Sequence, residues 1–514
     1  MPARGVHFLL GPGVNIARSP LTGRNFEYFS EDPFLAASIT ASYIEGVQSQ
    51  GVIATVKHYA LKNQEYNRHN VNVEVDERTM REIYFPAFEA AVTRAHVDAV
   101  MDSYNLVNGA HATQNEFLNL KVLKGEWGFQ GILMSDWDAT YDGVAAANNG
   151  LDLEMPNARF MTAKVLLAAV KDGKVKESTI DDKVLRLLRT ALRYGFLDRP
   201  QFDPANSTYS VADRAIALDA SRESLTLLKN EGRLLPLDPA KVKTIAVIGP
   251  DAYTAVTSGG GSAETQAFEP VSILTGIANL LGPHVSVLYS RGLPEIMDVF
   301  HKTDWKDGVK VATYPSKDFT GTPEVISLPN IADWNERSWQ PEAKAQRSIR
   351  YTARYTAAKA GKYLILAFSH GWGGDEYKVM VDGNQVLAHP EIEGQVPQSA
   401  TLDLNASQTV NVVAEVLPRS PGVRFGLGIA YETDLIAAEV KTLAAAADLV
   451  VVAVGFNPET EREGSDRTFA LPWGQDALID AVAATNPRTI VTLTAGGGMD
   501  TQRWLDKVPA LLHT

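Results

Sequence analysis

Gly131-Ile-Leu-Met-Ser-Asp-Trp137 is an apolar run that ends on a carboxylate and an indole. A short, unbroken apolar stretch of this kind reads as a strand buried on both faces, as in a parallel sheet. Asp136 then stands at the carboxyl edge of that strand, where barrels and open parallel sheets both place their reactive groups. Similar runs recur at 6–10, 53–58, 99–104 and 151–155, and helical stretches at 33–48, 77–93, 115–126 and 159–172 alternate with them. Such alternation is the pattern of βαβ units and predicts an α/β region over the first 200 residues or so. Five strands are fewer than the eight of a closed barrel. Two architectures fit: an open doubly wound sheet, or a partial (β/α) barrel whose early strands lie outside the chain. On position alone, Asp136 is equally a cap for the helix expected over 139–149.

A second α/β region follows. It has a helical pattern over 211–230, a buried strand at 244–249 and the glycine-rich loop Ser258-Gly-Gly-Gly-Ser262, which lacks the lysine and spacing of a phosphate loop and reads as a flexible turn. The pattern resumes with a helix at 434–447, a strand at 449–455, a helix at 475–484 and a strand at 489–494. Between these stretches the period drops to two, with strands at 349–357, 362–368, 377–381, 409–416 and 423–431 and a turn at Asp382-Gly383. This predicts an antiparallel β-sandwich. The expected organisation is therefore a partial barrel over 1–205, an α/β sandwich domain over 206–288 and 433–514, and an inserted β-sandwich over 289–432. The last residues, Val508-Pro-Ala-Leu-Leu-His-Thr514, read as a buried strand without a partner, so truncation is expected at both ends.

The formal charge of −13 argues against a nucleic-acid partner, because binders of phosphate backbones present a basic face. A small neutral or cationic substrate fits better. The absence of cysteine removes disulfides, thiolate nucleophiles and thiolate metal sites. No apolar run is long enough for a bilayer, and the first residues do not have a signal-peptide layout, so the chain reads as globular with its compartment open between cytoplasm and periplasm or exterior. Neither a metal nor a cofactor is expected, and a homo-oligomer is left open.

Several further stretches stand in a fixed order around Met134-Ser-Asp-Trp137. They are Gly23-Arg-Asn-Phe-Glu27, Ser30-Glu-Asp-Pro33, Val56-Lys-His-Tyr59, Asn63-Gln-Glu65 with Arg68, and Glu77-Arg-Thr-Met-Arg-Glu-Ile-Tyr-Phe-Pro86. Ser103-Tyr-Asn-Leu-Val-Asn-Gly109, Glu126-Trp-Gly128 and Gly150-Leu-Asp-Leu-Glu-Met155 follow. In this order they resemble the family 3 glycoside hydrolases, and the resemblance covers essentially the whole chain. It implies retaining hydrolysis of terminal β-D-glucosyl residues by a two-carboxylate double displacement, with a small carbohydrate as the partner.

The resemblance assigns roles residue by residue. Asp136 becomes the nucleophile, while Arg24, Lys57 and His58 become donors to sugar hydroxyls. Tyr104 and Met101 line the sugar pocket, and Trp137 shields one side of the ring. The run Glu459-Thr-Glu-Arg-Glu-Gly-Ser-Asp-Arg467 resembles the family's Glu-Gly-x-Asp-Arg element, which places the acid/base on Glu463 with Glu461 as competitor. The insert resembles the protective-antigen-type domain of some β-glucosidases, with Trp372 and Asp375 as candidate substrate contacts. Each residue also has a plainer explanation: Arg24 could pair with Glu27, His58 could be structural, Met101 could simply pack, and the acidic run could be a solvated loop. An upstream Asp-Gly-Pro element of the family has no counterpart here. A β-xylosidase and a non-catalytic carbohydrate-binding homologue are the alternatives; an N-acetylhexosaminidase is disfavoured, because Tyr59-Ala-Leu-Lys62 follows Lys57-His58 in place of that group's motif.

Overall fold

The computed structural model describes residues 5–198, 200–202, 210–332, 347–369, 375–390, 396–418 and 425–514. The chain divides into two compact units, Met1–Val211 and Ala212–Thr514.

The first unit is built on five parallel strands, β1 (Phe8–Leu9), β2 (Ile53–Tyr59), β3 (Ala99–Asp102), β4 (Ile132–Trp137) and β5 (Leu153–Met155). They lie side by side in chain order. The faces of the sheet follow the two-residue period of the strands. Ala54, Val56, Val100 and Leu133 point into one core shared with α1 (Pro33–Ser49), α2 (Pro86–Thr93) and the wide helical turns of α3 (Phe117–Glu126). Ile53, Ala99, Met101 and Met134 point the other way, into a smaller cluster closed by Tyr194 and Phe196. A doubly wound sheet reverses its strand order at a switch point. Unbroken order, with these three helices packed on one face, belongs to a segment of a (β/α) barrel, which decides between the two architectures. The cap of the helix after β4 is Asp142, whose carboxylate accepts from the Val144 and Ala145 amides at 2.8 and 3.0 Å. Asp136 is therefore not that cap.

The second unit contains β6 (Thr226–Asn230), β7 (Thr244–Ile248) and β8 (Ser286–Ser290), then β19 (Leu449–Gly455), β20 (Thr489–Thr494) and β21 (Ala510–His513) after the insertion. Their spatial order is β8-β7-β19-β20-β21-β6, parallel throughout except for β6. Two expectations are corrected here. The stretch 211–230 is not one helix: it forms a helix over Val211–Ser224 and then β6. The terminal strand is not partnerless, because β21 pairs with β20 on one side and with β6 on the other. Both misreadings have one cause, since β6 and β21 are far apart in sequence and neither local pattern shows its partner.

Among the described residues between β8 and β19 lie ten antiparallel strands: β9 (Trp305–Tyr314), β10 (Glu324–Leu328), β11 (Ile331–Ala332), β12 (Ser348–Thr356), β13 (Gly361–Ser369), β14 (Glu376–Val381), β15 (Asn384–His389), β16 (Gln398–Leu404), β17 (Thr409–Leu417) and β18 (Phe425–Tyr431). One sheet has the order β10-β9-β12-β17-β14-β15 and the other β11-β18-β13-β16. Asp382 and Gly383, with φ of 49° and 80°, form the two-residue turn between β14 and β15, the conformation that favours Asp-Gly. In β13, Tyr363, Ile365 and Ala367 enter the sandwich core, whereas Leu364, Leu366 and Phe368 enter the core that holds Ile248 and Val450. Among the described residues, no helix is long and apolar enough to cross a membrane.

Candidate active site

At the carboxyl edge of the first sheet, Asp136 is 6% exposed. Its Oδ1 accepts from the Trp137 amide at 2.8 Å, and its Oδ2 faces His58 Nε2 at 3.5 Å. Asn15 fixes His58 through the backbone: the Asn15 amide donates to the His58 carbonyl and accepts from its N–H, both at 2.9 Å. Burial, reinforced by Arg24, Lys57, Lys62 and Arg68, holds the imidazole well below its usual pKa. His58 is therefore neutral at neutral pH and does not cancel the charge of Asp136.

The cations come from two short-range arrangements. Arg24 makes a bidentate pair with Glu27, at 2.5 and 2.8 Å, and Lys57 Nζ lies 3.8 Å from the same carboxylate. Lys62 pairs with Glu65, which also receives Arg68 Nη1 at 3.0 Å. Arg24, Lys62, Glu65 and Arg68 are all buried. Burial and the Arg24 and Arg68 guanidiniums depress the Lys62 ammonium well below the ordinary lysine value, while Asp136 and Glu27 oppose the shift. Arg68 lies 4.3 Å over the Tyr104 ring. The arrangement is a polar, positively biased pocket around one carboxylate, suited to donating hydrogen bonds to a polyol.

Of the residues expected at the site, Arg24, Lys57 and His58 converge with Asp136, and Tyr104 joins through Arg68. Trp137 is 39% exposed, with an open indole. Met101 stands apart, buried among Ile53, Ala99 and Met134. Asn15, Glu27 and Lys62 were not foreseen as site residues. The i, i+3 spacing of Arg24 with Glu27, and of Lys62 with Glu65 and Arg68, was the available signal.

The second unit carries the other carboxylates on the loop after β19. The glycine-rich loop pairs with it: Gly260 N–H donates to the Glu461 carbonyl at 3.0 Å, and Glu463 N–H donates to the Gly260 carbonyl at 2.9 Å. The Ser262 amide donates to Glu463 Oε2 at 2.7 Å. Gly261 has φ of +111°, and a Cβ there would collide with Glu463 Cβ. The loop is thus a fitted cradle for Glu463, where the sequence had suggested a flexible turn. Glu461 is held differently, by Arg467 Nε at 2.8 Å and the Gly496 amide at 2.9 Å. Burial raises its pKa against the pull of that guanidinium. Arg467 lies 4.2 Å over Phe456 and donates to the Gly498 carbonyl at 2.9 Å. Asp375, 3% exposed, accepts from Ser369 Oγ at 3.1 Å. Trp372 lies outside the described residues.

Residues 1–190 match the glycosyl hydrolase family 3 N-terminal domain, and residues 225–514 match the family 3 C-terminal domain. A beta-glucosidase from Rhizobium radiobacter is 36% identical over 533 residues, covering 99% of this chain and 64% of the relative. Beta-glucosidase B of Emericella nidulans is 35% identical over 550 residues, with 99% and 63% covered. Among solved structures, DesR, a beta-glucosidase from Streptomyces venezuelae in complex with D-glucose, superposes with a TM-score of 0.71 at 30% identity, covering 98% of this chain and 62% of that one. The beta-glucosidase from Kluyveromyces marxianus in complex with glucose gives 0.68 at 28%, with 99% and 65% covered. The chain spans a little under two thirds of the length of these relatives. Motifs in family order, a barrel segment with its carboxylate at the carboxyl edge and two matching domains lead to one conclusion: the chain belongs to glycosyl hydrolase family 3.

Proposed function

We propose that the chain carries out retaining hydrolysis of terminal, non-reducing β-D-glucosyl residues, with Asp136 as nucleophile and Glu463 as general acid/base. The observation that carries this reading is the state of Asp136. One oxygen is fixed by the Trp137 amide, the other faces a neutral imidazole, and buried cations surround the pair. Such a carboxylate is held in place to act as a nucleophile. The names and glucose complexes of the relatives support glucose as the sugar.

In the first step Asp136 Oδ2 bonds to the anomeric carbon while the glycosidic C–O bond breaks, and Glu463 gives its proton to the departing oxygen. In the second step the Glu463 carboxylate takes a proton from water as that water displaces Asp136, which restores both groups. Arg24, Lys57, His58 and Tyr104 bind hydroxyls of the sugar, and Trp137 covers one side of it. The Asp136→Asn variant is expected to lose aryl β-glucoside hydrolysis by about 10⁴-fold. Asp136→Gly is expected to regain part of it with azide, which occupies the missing carboxylate's place and yields the α-glucosyl azide. A wild-type chain that binds glucose but turns over no β-glucoside would sink the catalytic reading.

A further inference from the structure

Tyr104 is gripped from three directions, by Arg68 of the pocket and by two histidines that have been given no role so far. The His69 ring lies 4.4 Å from the Tyr104 ring, and the Arg68 guanidinium lies 4.3 Å from it. His111 Nδ1 lies 3.3 Å from the Tyr104 carbonyl oxygen. Tyr141 ties the two histidines together: its hydroxyl is 2.8 Å from His69 Nδ1, and its ring stacks on His111 at 3.7 Å with an interplanar angle of 22°.

The circuit Tyr104, His69, Tyr141, His111 and back to Tyr104 is therefore closed. It joins three separate segments at the carboxyl edge of the sheet: the loop after β2, the connection after β3 and the loop after β4. Burial, aided by nearby His69, lowers the pKa of His111 against the pull of the Tyr104 carbonyl. A neutral His111 must carry its proton on Nδ1 to donate to that carbonyl, and the contact thereby selects the tautomer. The three bracing rings are half-buried, whereas Tyr104 and Arg68 are buried. The brace thus sits at the rim and contributes less to the core than to the setting of Tyr104.

We propose that His69, Tyr141 and His111 are positioning residues that hold Tyr104, and Arg68 stacked on it, in the orientation that binds the sugar. The inference rests on the reading of Tyr104 as a residue of the glucose pocket. A group fixed in its bound orientation before the ligand arrives loses less conformational freedom on binding, so the brace acts on affinity and not on the chemical step.

The test uses the full chain with Tyr141→Phe, which deletes the hydroxyl on His69 and keeps the ring on His111, together with His69→Ala and His69→Gln. Glucose affinity by calorimetry and KM and kcat on an aryl β-glucoside are the readouts, beside the melting midpoint. Tyr141→Phe is expected to weaken glucose binding and raise KM together by about two- to tenfold, the worth of one hydrogen bond. kcat and melting should stay near wild type. His69→Ala should weaken binding more, and His69→Gln, which keeps a polar partner for the Tyr141 hydroxyl, should recover part of the loss. Unchanged affinity in both Tyr141→Phe and His69→Ala, or affinity that falls only in step with the melting midpoint, overturns the brace. Glucose binding without turnover in the wild type sinks the catalytic reading while the brace is still measured by affinity. A wild type that binds no glucose overturns both.

Discussion

Glu461 and Glu463 lie two residues apart on one loop and differ in what holds them. Glu461 is locked to a buried guanidinium, whereas Glu463 rests in the glycine cradle with a backbone amide on one oxygen. A general acid/base must gain and lose a proton in each cycle, and although burial raises the Glu461 pKa, each protonation there would break its pair with the buried Arg467. Glu463→Ala is expected to cost far more on glucosides with poor leaving groups than on activated aryl ones. Glu461→Ala should instead destabilise the second unit by about 3–5 kcal/mol, because it strands a buried Arg467. Leaving-group dependence measured across a series of aryl glucosides separates the two, and its appearance in Glu461→Ala would reverse the assignment. At this scale the sequence disclosed the residue types, their order and the local Arg24–Glu27 pair, but not the partners that lie far along the chain. What distinguishes Glu461 from Glu463 in the fold is Arg467, six residues beyond Glu461, and Gly260, about 200 residues upstream.

The elements show the same division. The Leu449–Gly455 and Thr489–Thr494 strands were legible as unbroken apolar runs, and the Asp382-Gly383 turn announced its hairpin. The strands Trp305–Tyr314 and Gln398–Leu404 were missed, because charged and small residues interrupt their alternation. The Glu177–Arg193 helix was missed as well, although its apolar residues recur at helical spacing. Gly261 belongs here, since its importance lies in how two loops approach. Gly261→Ala places a methyl group against Glu463 in a backbone region that disfavours side chains. It is expected to reduce turnover on unactivated glucosides at least tenfold while the melting midpoint moves by only a few degrees, as cradle loss is local. Wild-type kinetics in Gly261→Ala would show that the loop does not set Glu463.

At the scale of the molecule, two compact units imply two transitions in calorimetry. Each unit also buries a titrating acid. Burial raises Asp102 well above the usual carboxylate range in the first unit, where Asn119 donates to its Oδ2 at 3.3 Å. In the second unit, burial lifts Asp251 to about 7 against the pull of Asn457 and Arg291. The folded second unit therefore keeps a proton that its unfolded form releases above roughly pH 4, so Asp251 costs stability as pH rises from about 4 to 7. Asp251→Asn should raise the second unit's transition by a few degrees at pH 8, about 2–4 °C per kcal/mol recovered, and leave it unchanged near pH 4. Equal midpoints at pH 8 would contradict this. Strand–helix alternation made the α/β character of the first unit legible but left a doubly wound sheet and a barrel segment both open until the strand order was known, and the closure of the second sheet by β6 and β21 was not legible, because that pairing joins opposite ends of the unit.

The two-sided burial of β13 bears on how such an insert can be exchanged. Because Leu364, Leu366 and Phe368 share a core with Ile248 and Val450, the sandwich is welded to the α/β layer along one strand. It cannot swing on its connections as a hinged lid would without prising that core apart. A chimera carrying a sandwich from another source must therefore bring a matching row of outward apolar side chains on the equivalent strand, whatever the length of its linkers.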